Sequence, residues 1–290
     1  MSHGKADPQG GTWLELPAAY WPAERTSELS AWTAHTPFAM WLVMAMRPAM
    51  IVELGTHAGV SFAAFCQAVA ALDLPTRCAA VDTWRGDEHT AGSAASYASD
   101  VYSELHAWLA ARYGQFSGLV RSTFDDARPR FLDGTVDILH IDGFHTYDAV
   151  RHDFETWQSA LSASGVVLFH DTAVRTGTFG VWRLWEELVG RYPSFSFEHG
   201  HGLGVLCVGC SPTPALAWLT GLRERGEIER VRTHFAGLGR LAQVHSDLIA
   251  ERAAMLGSIS WRVTAPLRRT ARWLRLVPRR FYSAGSTRGL

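Results

Sequence analysis

The chain has 290 residues, of which 47% are hydrophobic and 19% are charged, with a formal net charge of −1. This composition excludes a disordered or collagen-like chain and allows a large buried core. Four cysteines and the lack of a signal-peptide pattern argue against secretion, so we expect a cytoplasmic protein. Membrane spanning is also disfavoured, since no apolar run reaches the roughly 18 residues that cross a bilayer.

Charge is distributed unevenly along the chain. Residues 261–290 hold eight arginines and no acidic residue, so the first 260 residues carry a net charge of −9. Trp, Leu and Arg recur there at roughly helical spacing. We expect residues 260–281 either to lie as an amphipathic helix on an anionic surface at the inner face of the cell membrane, or to dock on their own domain or a partner subunit. The acidic body argues against nucleic-acid binding.

The first half of the chain alternates between short apolar runs and helical stretches. Residues 1–34 are predicted to be a loose arm, and 35–47 a short apolar helix that ends at Pro48. The strands that follow are rich in Val, Ile and Leu without alternation, which is typical of strands buried on both faces of a parallel sheet. The predicted strands are Met50–Leu54, Cys78–Val81, Gly118–Arg121, Val136–Ile141 and Gly165–Phe169. The predicted helices between and after them are Ser61–Leu72, Ser99–Tyr113, Tyr147–Leu161 and Val181–Arg191.

Strand–helix repetition predicts an α/β fold: a Rossmann-like, doubly wound, mostly parallel seven-stranded sheet. Two later strands, Phe195–His199 and Gly204–Gly209, are separated by a Gly-rich turn and predict an antiparallel hairpin at the edge of the sheet. A helical extension follows, with a long helix near Ile228–Leu256. The predicted domains are an arm over 1–34, a catalytic domain over 35–210, a helical extension over 211–258 and a basic amphipathic tail over 259–290.

A glycine loop joins the first strand to the next helix, with the spacing Glu53-x-Gly55-x-x-x-Gly59-x-Ser61. A dinucleotide-binding loop would show G-x-G-x-x-G instead. The acid and the wider glycine spacing are typical of an S-adenosylmethionine loop, in which Gly55 allows a tight turn and Gly59 a close approach of the helix. The alternative is an ordinary strand-to-helix turn.

Asp82 ends the second predicted strand, where an acid suits the two hydroxyls of a ribose or caps the following turn. Trp84 either stacks on an adenine or covers the core, and Ser122 and Thr123 follow the third strand, where an adenine edge would lie. The predicted cofactor-binding residues are Glu53, Gly55, Thr56, Gly59, Ser61, Asp82, Thr83, Trp84, Ser122, Thr123 and Asp142.

Carboxylates and histidines follow the fourth and fifth strands, in the segments Asp142-x-x-His145 and His170-Asp171. Both strand ends are expected at the same edge of the sheet, so we predict a divalent cation such as Mg²⁺ held by Asp142, His170 and Asp171. His170 is alternatively an orienting residue for Asp171. His145 is the predicted base, because imidazole titrates near neutral pH. The simpler reading is that Asp142 caps the helix and His145 packs against it.

From about residue 35 to 209, these segments resemble a known family. The phrases VELGTHAGVSF, VDTWRGDEH, DILHIDGFHTYDAVRHDFETW, GVVLFHDT and HGHGLGVL resemble class I S-adenosylmethionine-dependent methyltransferases. They are similar to bacterial methyltransferases of surface-polysaccharide assembly, to macrolide-sugar O-methyltransferases and to the cephalosporin hydroxylase group. The glycine loop also aligns without gaps with that of catechol O-methyltransferase.

The resemblance implies roles for individual residues. It places cofactor contacts at Glu53, Gly55 and Ser61 and the ribose acid at Asp82. Asp142 matches the first metal aspartate, His145 replaces the catalytic lysine, and His170-Asp171 replaces an Asp-Asn metal pair. Histidine in place of a metal aspartate leaves two hypotheses open, namely a metal-assisted site and a metal-free site with His145 and His170 as base and orienter.

The resemblance implies an S-adenosylmethionine-dependent O-methyltransferase that acts on a sugar hydroxyl in a glycan or glycosylated metabolite. The implied cofactors are S-adenosylmethionine and Mg²⁺. The substrate could be lipid-linked, and glycosyltransferases or a second copy of the chain are the expected protein partners. The alternatives are an oxygenase-like enzyme of the same fold and a catalytically silent module that binds cofactor or recruits glycosyltransferases.

Overall fold

The computed structural model describes residues 13–27, 30–86, 100–258 and 263–264. Its strands are β1 Met50–Leu54, β2 Arg77–Asp82, β3 Ser117–Arg121, β4 Val136–Ile141, β5 Leu161–His170, β6 Ser194–Phe197 and β7 Leu203–Cys207. They form one seven-stranded sheet in the order β3-β2-β1-β4-β5-β7-β6. Neighbours among β1 to β5 are parallel, whereas β7 is antiparallel to both β5 and β6. The predicted fold class, including the C-terminal hairpin, is confirmed.

Helices cover both faces of the sheet, which explains why the strands are apolar without alternation. Within β1, Ile51 belongs to one hydrophobic core and Val52 to the other. Within β5, Leu168 and Phe169 divide in the same way. The helices are α1 Thr36–Met46, α2 Val60–Ala71, α3 Val101–Tyr113, α4 Phe124–Ala127, α5 Tyr147–Trp157, α6 Val181–Leu188, α7 Pro214–Thr220 and α8 Arg225–Gly257.

The start of β5 lies four residues before its predicted position, a larger shift than at the start of any other predicted strand. The helix predicted to reach Leu161 ends at Trp157, and Leu161 begins β5 instead of Gly165. The hydroxyls of Ser162 and Ser164 donate hydrogen bonds to Oδ1 of Asp137 on the neighbouring strand, at 2.6 and 3.3 Å. A contact between strands therefore decides a boundary that local pattern did not reveal.

The described part of the arm is ordered against the domain, so the prediction of a loose arm is wrong for these residues. Short 3-10 helices form at Trp13–Glu15, Pro17–Tyr20 and Ala31–His35. Trp13 and Trp32 are buried, and the indole of Trp41 donates a hydrogen bond to the carbonyl of Trp13 at 2.6 Å. Burial of large aromatic side chains orders a segment that has no periodic hydrophobic pattern.

Residues 1–246 form one compact unit and residues 247–290 a second. Most of the predicted basic tail, including its apolar stripe, lies outside the described residues. Among the residues that the structure describes, no helix is both long and apolar enough to cross a membrane.

Candidate functional site

A cavity of about 430 Å³ opens at the carboxyl edge of the sheet, beside the ends of β1, β2, β4 and β5. Its volume suits a ligand of cofactor size. Most of the predicted site residues line this cavity together, and Glu53, Trp84 and Ser122 do not. Those that line it are Gly55, Thr56, Gly59, Ser61, Asp82, Thr83, Thr123, Asp142, His145, His170 and Asp171.

The glycine loop from Gly55 to Gly59 has a backbone that requires glycine at both ends. Gly55 and Gly59 have positive φ angles of 85° and 74°. A Cβ atom on Gly55 would lie 2.1 Å from the carbonyl oxygen of Asp142, and one on Gly59 would collide with Leu105. The first glycine therefore lets the ends of β1 and β4 approach closely, which puts the loop and Asp142 into one cavity.

Asp82 organises the glycine loop. Its Oδ2 accepts hydrogen bonds from the amides of Thr56 and His57, both at 2.9 Å, and its Oδ1 accepts from the amide of Trp84 at 2.7 Å. A carboxylate oxygen can accept more than one hydrogen bond, so Asp82 can bind a ligand hydroxyl while it holds the loop.

Glu53 lies beneath the cavity and does not line it. Its side chain has no exposed surface, and Oε2 lies 2.8 Å from Nδ1 of His140, its neighbour in register across β1 and β4. Burial raises the pKa of Glu53, against the effect of the His140 hydrogen bond. The alternation of β1 points Glu53 into the layer under the site, so its side chain does not line the cavity, and the cofactor contact stays a prediction.

Trp84 and Ser122 support the site from outside the cavity. The Trp84 indole donates a hydrogen bond to the carbonyl of His57 at 3.0 Å and packs edge-on against Tyr102. Of the two predicted roles of Trp84, covering the core is the one observed. Ser122 donates its amide to the carbonyl of Asp82 at 3.0 Å. The adjacent Thr123 lines the cavity and also caps α4.

Two carboxylates and two histidines converge from the ends of β4 and β5. His145 Nε2 lies 2.9 Å from Asp171 Oδ2 and 3.5 Å from Asp142 Oδ1. His170 Nδ1 lies 3.2 Å from Asp142 Oδ1 and 3.5 Å from Asp171 Oδ2. We call these four side chains the His–Asp cluster. The simpler hypothesis that Asp142 caps the following helix is wrong, because the hydroxyl of Thr146 caps α5.

The four side chains change one another's protonation. Burial opposes protonation of His145, yet its hydrogen bonds to Asp142 and Asp171 raise its pKa to about 9. For His170, burial is likewise outweighed by Asp142 and Asp171, and the pKa rises to about 10. The histidines in turn lower the pKa of both carboxyls against the effect of burial. The pKa of each histidine is thus raised above neutral pH and that of each carboxyl is lowered, which favours imidazolium–carboxylate pairing in the cluster.

The cluster also has the donor set of a divalent-cation site. Ligand atoms of Asp142, His170 and Asp171 all lie within 4.8 Å of one another. His170 Nε2 donates to the carbonyl of Gly200 at 3.1 Å, an arrangement typical of metal-binding histidines, and leaves Nδ1 for a ligand. Within the described part of the chain, the buried Oδ1 of Asp171 accepts no hydrogen bond of good geometry, and Nδ1 of His201 is 3.3 Å away. These residues fit a divalent cation, with a mixed nitrogen and oxygen set that suits Mn²⁺, Fe²⁺ or Zn²⁺ better than Mg²⁺.

Two further side chains line the cavity: Trp32, which was not predicted, and His201, whose turn was predicted to be an ordinary turn rather than a metal site. Trp32, from the arm, lines the cavity, and its ring centre lies 4.6 Å from that of His140 and 5.8 Å from that of His170. His201, in the turn between β6 and β7, also lines it, with Nδ1 3.3 Å from Asp171 Oδ1. The His-Gly-His-Gly spacing of that turn was the available signal, but only the sheet order brings β7 beside β5.

Comparisons with known proteins match part of this chain. A family profile described as "Methyltransferase domain" matches residues 52–172, which include the glycine loop and the His–Asp cluster. An uncharacterized protein of Sinorhizobium fredii, y4gI, is 52% identical over 188 residues, or 65% of this chain and 20% of that protein. The chain thus spans about one fifth of the length of the curated relative it matches.

Two solved structures are similar in fold. A methyltransferase from Geobacter sulfurreducens is 15% identical with a TM-score of 0.46, and the match covers 61% of this chain and 80% of that one. The O-methyltransferase TomG from Streptomyces achromogenes, involved in tomaymycin synthesis and solved in complex with SAM, is 19% identical with a TM-score of 0.42. That match covers 64% of this chain and 92% of the other.

Proposed function

We propose that the chain, whose residues 52–172 match a family profile described as "Methyltransferase domain", is an S-adenosylmethionine-dependent O-methyltransferase acting on a sugar hydroxyl. The sugar belongs to a glycan or a glycosylated metabolite. The observation that carries the proposal is the joining of the glycine loop, Asp82 and the His–Asp cluster in one cavity at the carboxyl edge of the sheet. Parallel α/β sheets bind their ligands at that edge.

The cofactor would bind on the glycine-loop side of the cavity. Asp82 would accept hydrogen bonds from the ribose hydroxyls, chiefly through Oδ1, which takes one amide in the free chain while Oδ2 takes two. Gly55 and Gly59 let the backbone approach the ligand because they carry no side chain. Thr123 lines the cavity beyond Asp82, where the resemblance puts the adenine.

The His–Asp cluster would activate the acceptor. The hydroxyl proton of the substrate passes to Nε2 of His145, and the oxygen forms a bond to the methyl carbon of the sulfonium. The carbon–sulfur bond breaks, and its electron pair stays on sulfur, which yields S-adenosylhomocysteine. The rate depends mainly on holding oxygen, carbon and sulfur in line. His145 must be neutral to accept the proton, so the interactions that raise its pKa to about 9 must weaken when ligands bind.

We propose that Asp142, His170 and Asp171 hold a divalent cation in the working enzyme. Such a cation supplies Lewis acidity, which lowers the pKa of a bound hydroxyl and neutralises the two carboxylates. His170 is oriented for this role by the carbonyl of Gly200, and the alternative assigns His170 as an orienter without a metal. Activity that is indifferent to EDTA and to added Mn²⁺ or Mg²⁺ would support the metal-free alternative.

One experiment tests the core of the proposal. Isothermal titration calorimetry of the full chain with S-adenosylhomocysteine measures cofactor binding. Incubation with S-adenosylmethionine and a panel of glycosylated acceptors, followed by mass spectrometry, detects the mass gain of one methyl group. Binding with transfer to a sugar hydroxyl supports the proposal. Binding without transfer to any acceptor favours a silent cofactor-binding module, and the absence of binding refutes the methyltransferase assignment.

A location for this activity is a further part of the proposal. The arginine-rich residues 260–281 would contact an anionic membrane, near lipid-linked glycans, although they lie largely outside the described residues. Co-sedimentation with anionic vesicles compares the natural chain with a variant in which Arg268, Arg269, Arg272 and Arg275 are glutamine. We expect only the natural chain to sediment. Equal sedimentation of both would refute the membrane contact and favour docking on protein.

A further inference from the structure

We propose that Arg25, in the N-terminal arm, is a positioning residue that fixes the glycine loop in its cofactor-binding conformation. Its Nε donates a hydrogen bond to the carbonyl oxygen of Ala58 at 2.6 Å. Arg25 itself does not line the cavity, whereas Ala58 does. The inference rests on the proposed function, because it assigns the loop to the cofactor, but the bond to the loop can be tested by itself.

The loop needs outside contacts to keep its shape. Besides its two glycines, His57 has a positive φ of 46°, a conformation that is unfavourable for a residue with a side chain. Such strain persists only where surrounding contacts hold the backbone in place. Asp82 fixes two amides of the loop, and Trp84 and Arg25 fix the carbonyls of His57 and Ala58.

Arg25 is itself held rigidly, as a positioning group must be. Its side chain is only 11% exposed, and its terminal nitrogen lies 3.2 Å from Oε1 of Glu104 on α3. The guanidinium also lies 5.3 Å from the centre of the Trp108 ring. A charged donor fixed by an ion pair and an aromatic ring loses little further entropy when it bonds the loop, so this hydrogen bond is a strong one.

The arm next to Arg25 is held by hydrogen bonds to α2 and α3. The amide of Glu24 donates to Oε1 of Gln67 on α2, and the Gln67 side-chain nitrogen donates to the carbonyl of Pro22, both at 2.9 Å. The hydroxyl of Tyr113 on α3 donates to Glu24 Oε2 at 2.8 Å. The segment from Pro22 to Arg25 is thus a strap across α2 and α3, and Arg25 transmits its position to the loop.

The chain offers a matched control in Arg112. Its guanidinium lies 4.3 Å from the centre of the same Trp108 ring and 3.8 Å from Glu24, but it bonds no residue of the loop among the described contacts. Methionine at either position keeps an unbranched apolar side chain against Trp108 and removes the charge. A difference between Arg25→Met and Arg112→Met therefore reports the bond to Ala58.

Calorimetry with S-adenosylhomocysteine on the full chain tests the inference. We expect Arg25→Met to raise the Kd about tenfold and Arg112→Met to leave it close to the natural value. Arg25→Lys, which keeps the charge beside Glu104, should fall between them and covers the case in which the methionine variant does not fold. Equal Kd values for the Arg25 variants and the natural chain would overturn the inference while leaving the proposed function standing.

Amide hydrogen exchange gives a readout that does not depend on the cofactor. Peptides that cover residues 55–61 should exchange faster in Arg25→Met than in Arg112→Met or the natural chain, since the loop opens more often. Unchanged exchange there would overturn the positioning role. If the natural chain failed to bind S-adenosylhomocysteine, the proposed function would fail, and exchange would still decide whether Arg25 fixes the loop.

Discussion

The two sides of the cavity are built in opposite ways. On the side of β1 and β2, loop amides and carbonyls bond to Asp82, Trp84 and Arg25, so the backbone is already satisfied before any ligand arrives. On the side of β4 and β5, the charged side chains of two histidines and two aspartates face one another within 3.5 Å. A preformed surface binds a ligand at low entropic cost, whereas a concentration of charge is suited to changing protonation.

The largest expected effects come from substitutions in the His–Asp cluster, on the side of β4 and β5. His145→Ala and Asp142→Asn should each lower methyl transfer about 10²–10⁴-fold, because the proton acceptor or its partner is lost. His152→Ala, which alters an exposed histidine on α5, is the matched control and should keep full activity. Calorimetry should show that His145→Ala still binds S-adenosylhomocysteine. Near-natural turnover in both site variants, with cofactor bound, would show that the catalytic assignment is wrong.

Loss of Asp82 should disturb the glycine loop, on the side of β1 and β2, and leave the His–Asp cluster intact. Asp82→Ala removes the acceptor of three backbone amides as well as the proposed ribose ligand. We expect the affinity for S-adenosylhomocysteine to fall about 100-fold, which corresponds to two hydrogen bonds of ordinary strength. Calorimetry together with a thermal melt measures this. A folded variant with unchanged affinity would contradict the role of Asp82.

Asp153, on α5, can be compared with the carboxyls of the His–Asp cluster, because it is also buried but lies outside the cluster. Burial raises its pKa to about 7, with Asp125 adding to the effect and His152 opposing it. A carboxyl in the unfolded chain titrates near pH 4, so below about pH 4 the ionisation of Asp153 does not affect the free energy of unfolding. Between about pH 4 and about pH 7, the free energy of unfolding falls as pH rises, because the buried carboxyl resists ionisation. At higher pH this loss of stability is constant. Asp153→Asn should therefore stabilise the fold by on the order of 2–4 kcal/mol at about pH 8.

Urea unfolding at about pH 8 and about pH 4.5 checks the sign of this effect. The gain from Asp153→Asn should be large at the higher pH and mostly lost at the lower one. A variant less stable than the natural chain at the higher pH would mean that the ionised carboxylate is stabilised by its neighbours. Asp153 would then resemble the carboxylates of the His–Asp cluster, which are stabilised in their ionised form by neighbouring histidines. The proposed difference between Asp153 and those carboxylates would be wrong.

The smallest expected effect concerns the turn between β6 and β7. Because His201 Nδ1 lies 3.3 Å from Asp171 Oδ1, His201→Ala should weaken Mn²⁺ binding about tenfold if the imidazole shares in the cation site. His199→Ala is the matched control, since His199 belongs to the same turn but packs on His35. Calorimetry with Mn²⁺ compares the two. Equal weakening in both variants would point to a disturbed turn instead of a lost ligand.

Much of the site followed from the order of residues at the strand ends. Acids and glycines placed just after buried parallel strands must meet at one edge of the sheet, so Gly55, Asp82, Asp142 and Asp171 were predicted to share a cavity. Glu53 does not line the cavity because it stands one residue before the end of β1, where alternation directs its side chain under the site. Trp32 and Arg25 were missed because the arm carries no periodic signal.

The sequence by itself determined the α/β class, the sheet with its terminal hairpin, and the strand ends that carry the chemistry. Hydrophobic patterning and turn residues act over a few neighbouring positions, so they can be recognised in the sequence alone. Only the tertiary structure decided that the arm closes the cavity, that Arg25 bonds the glycine loop, and that His201 reaches Asp171. Those contacts join residues distant in sequence, and their energies depend on burial and on ion pairing that exist only after the sheet has assembled.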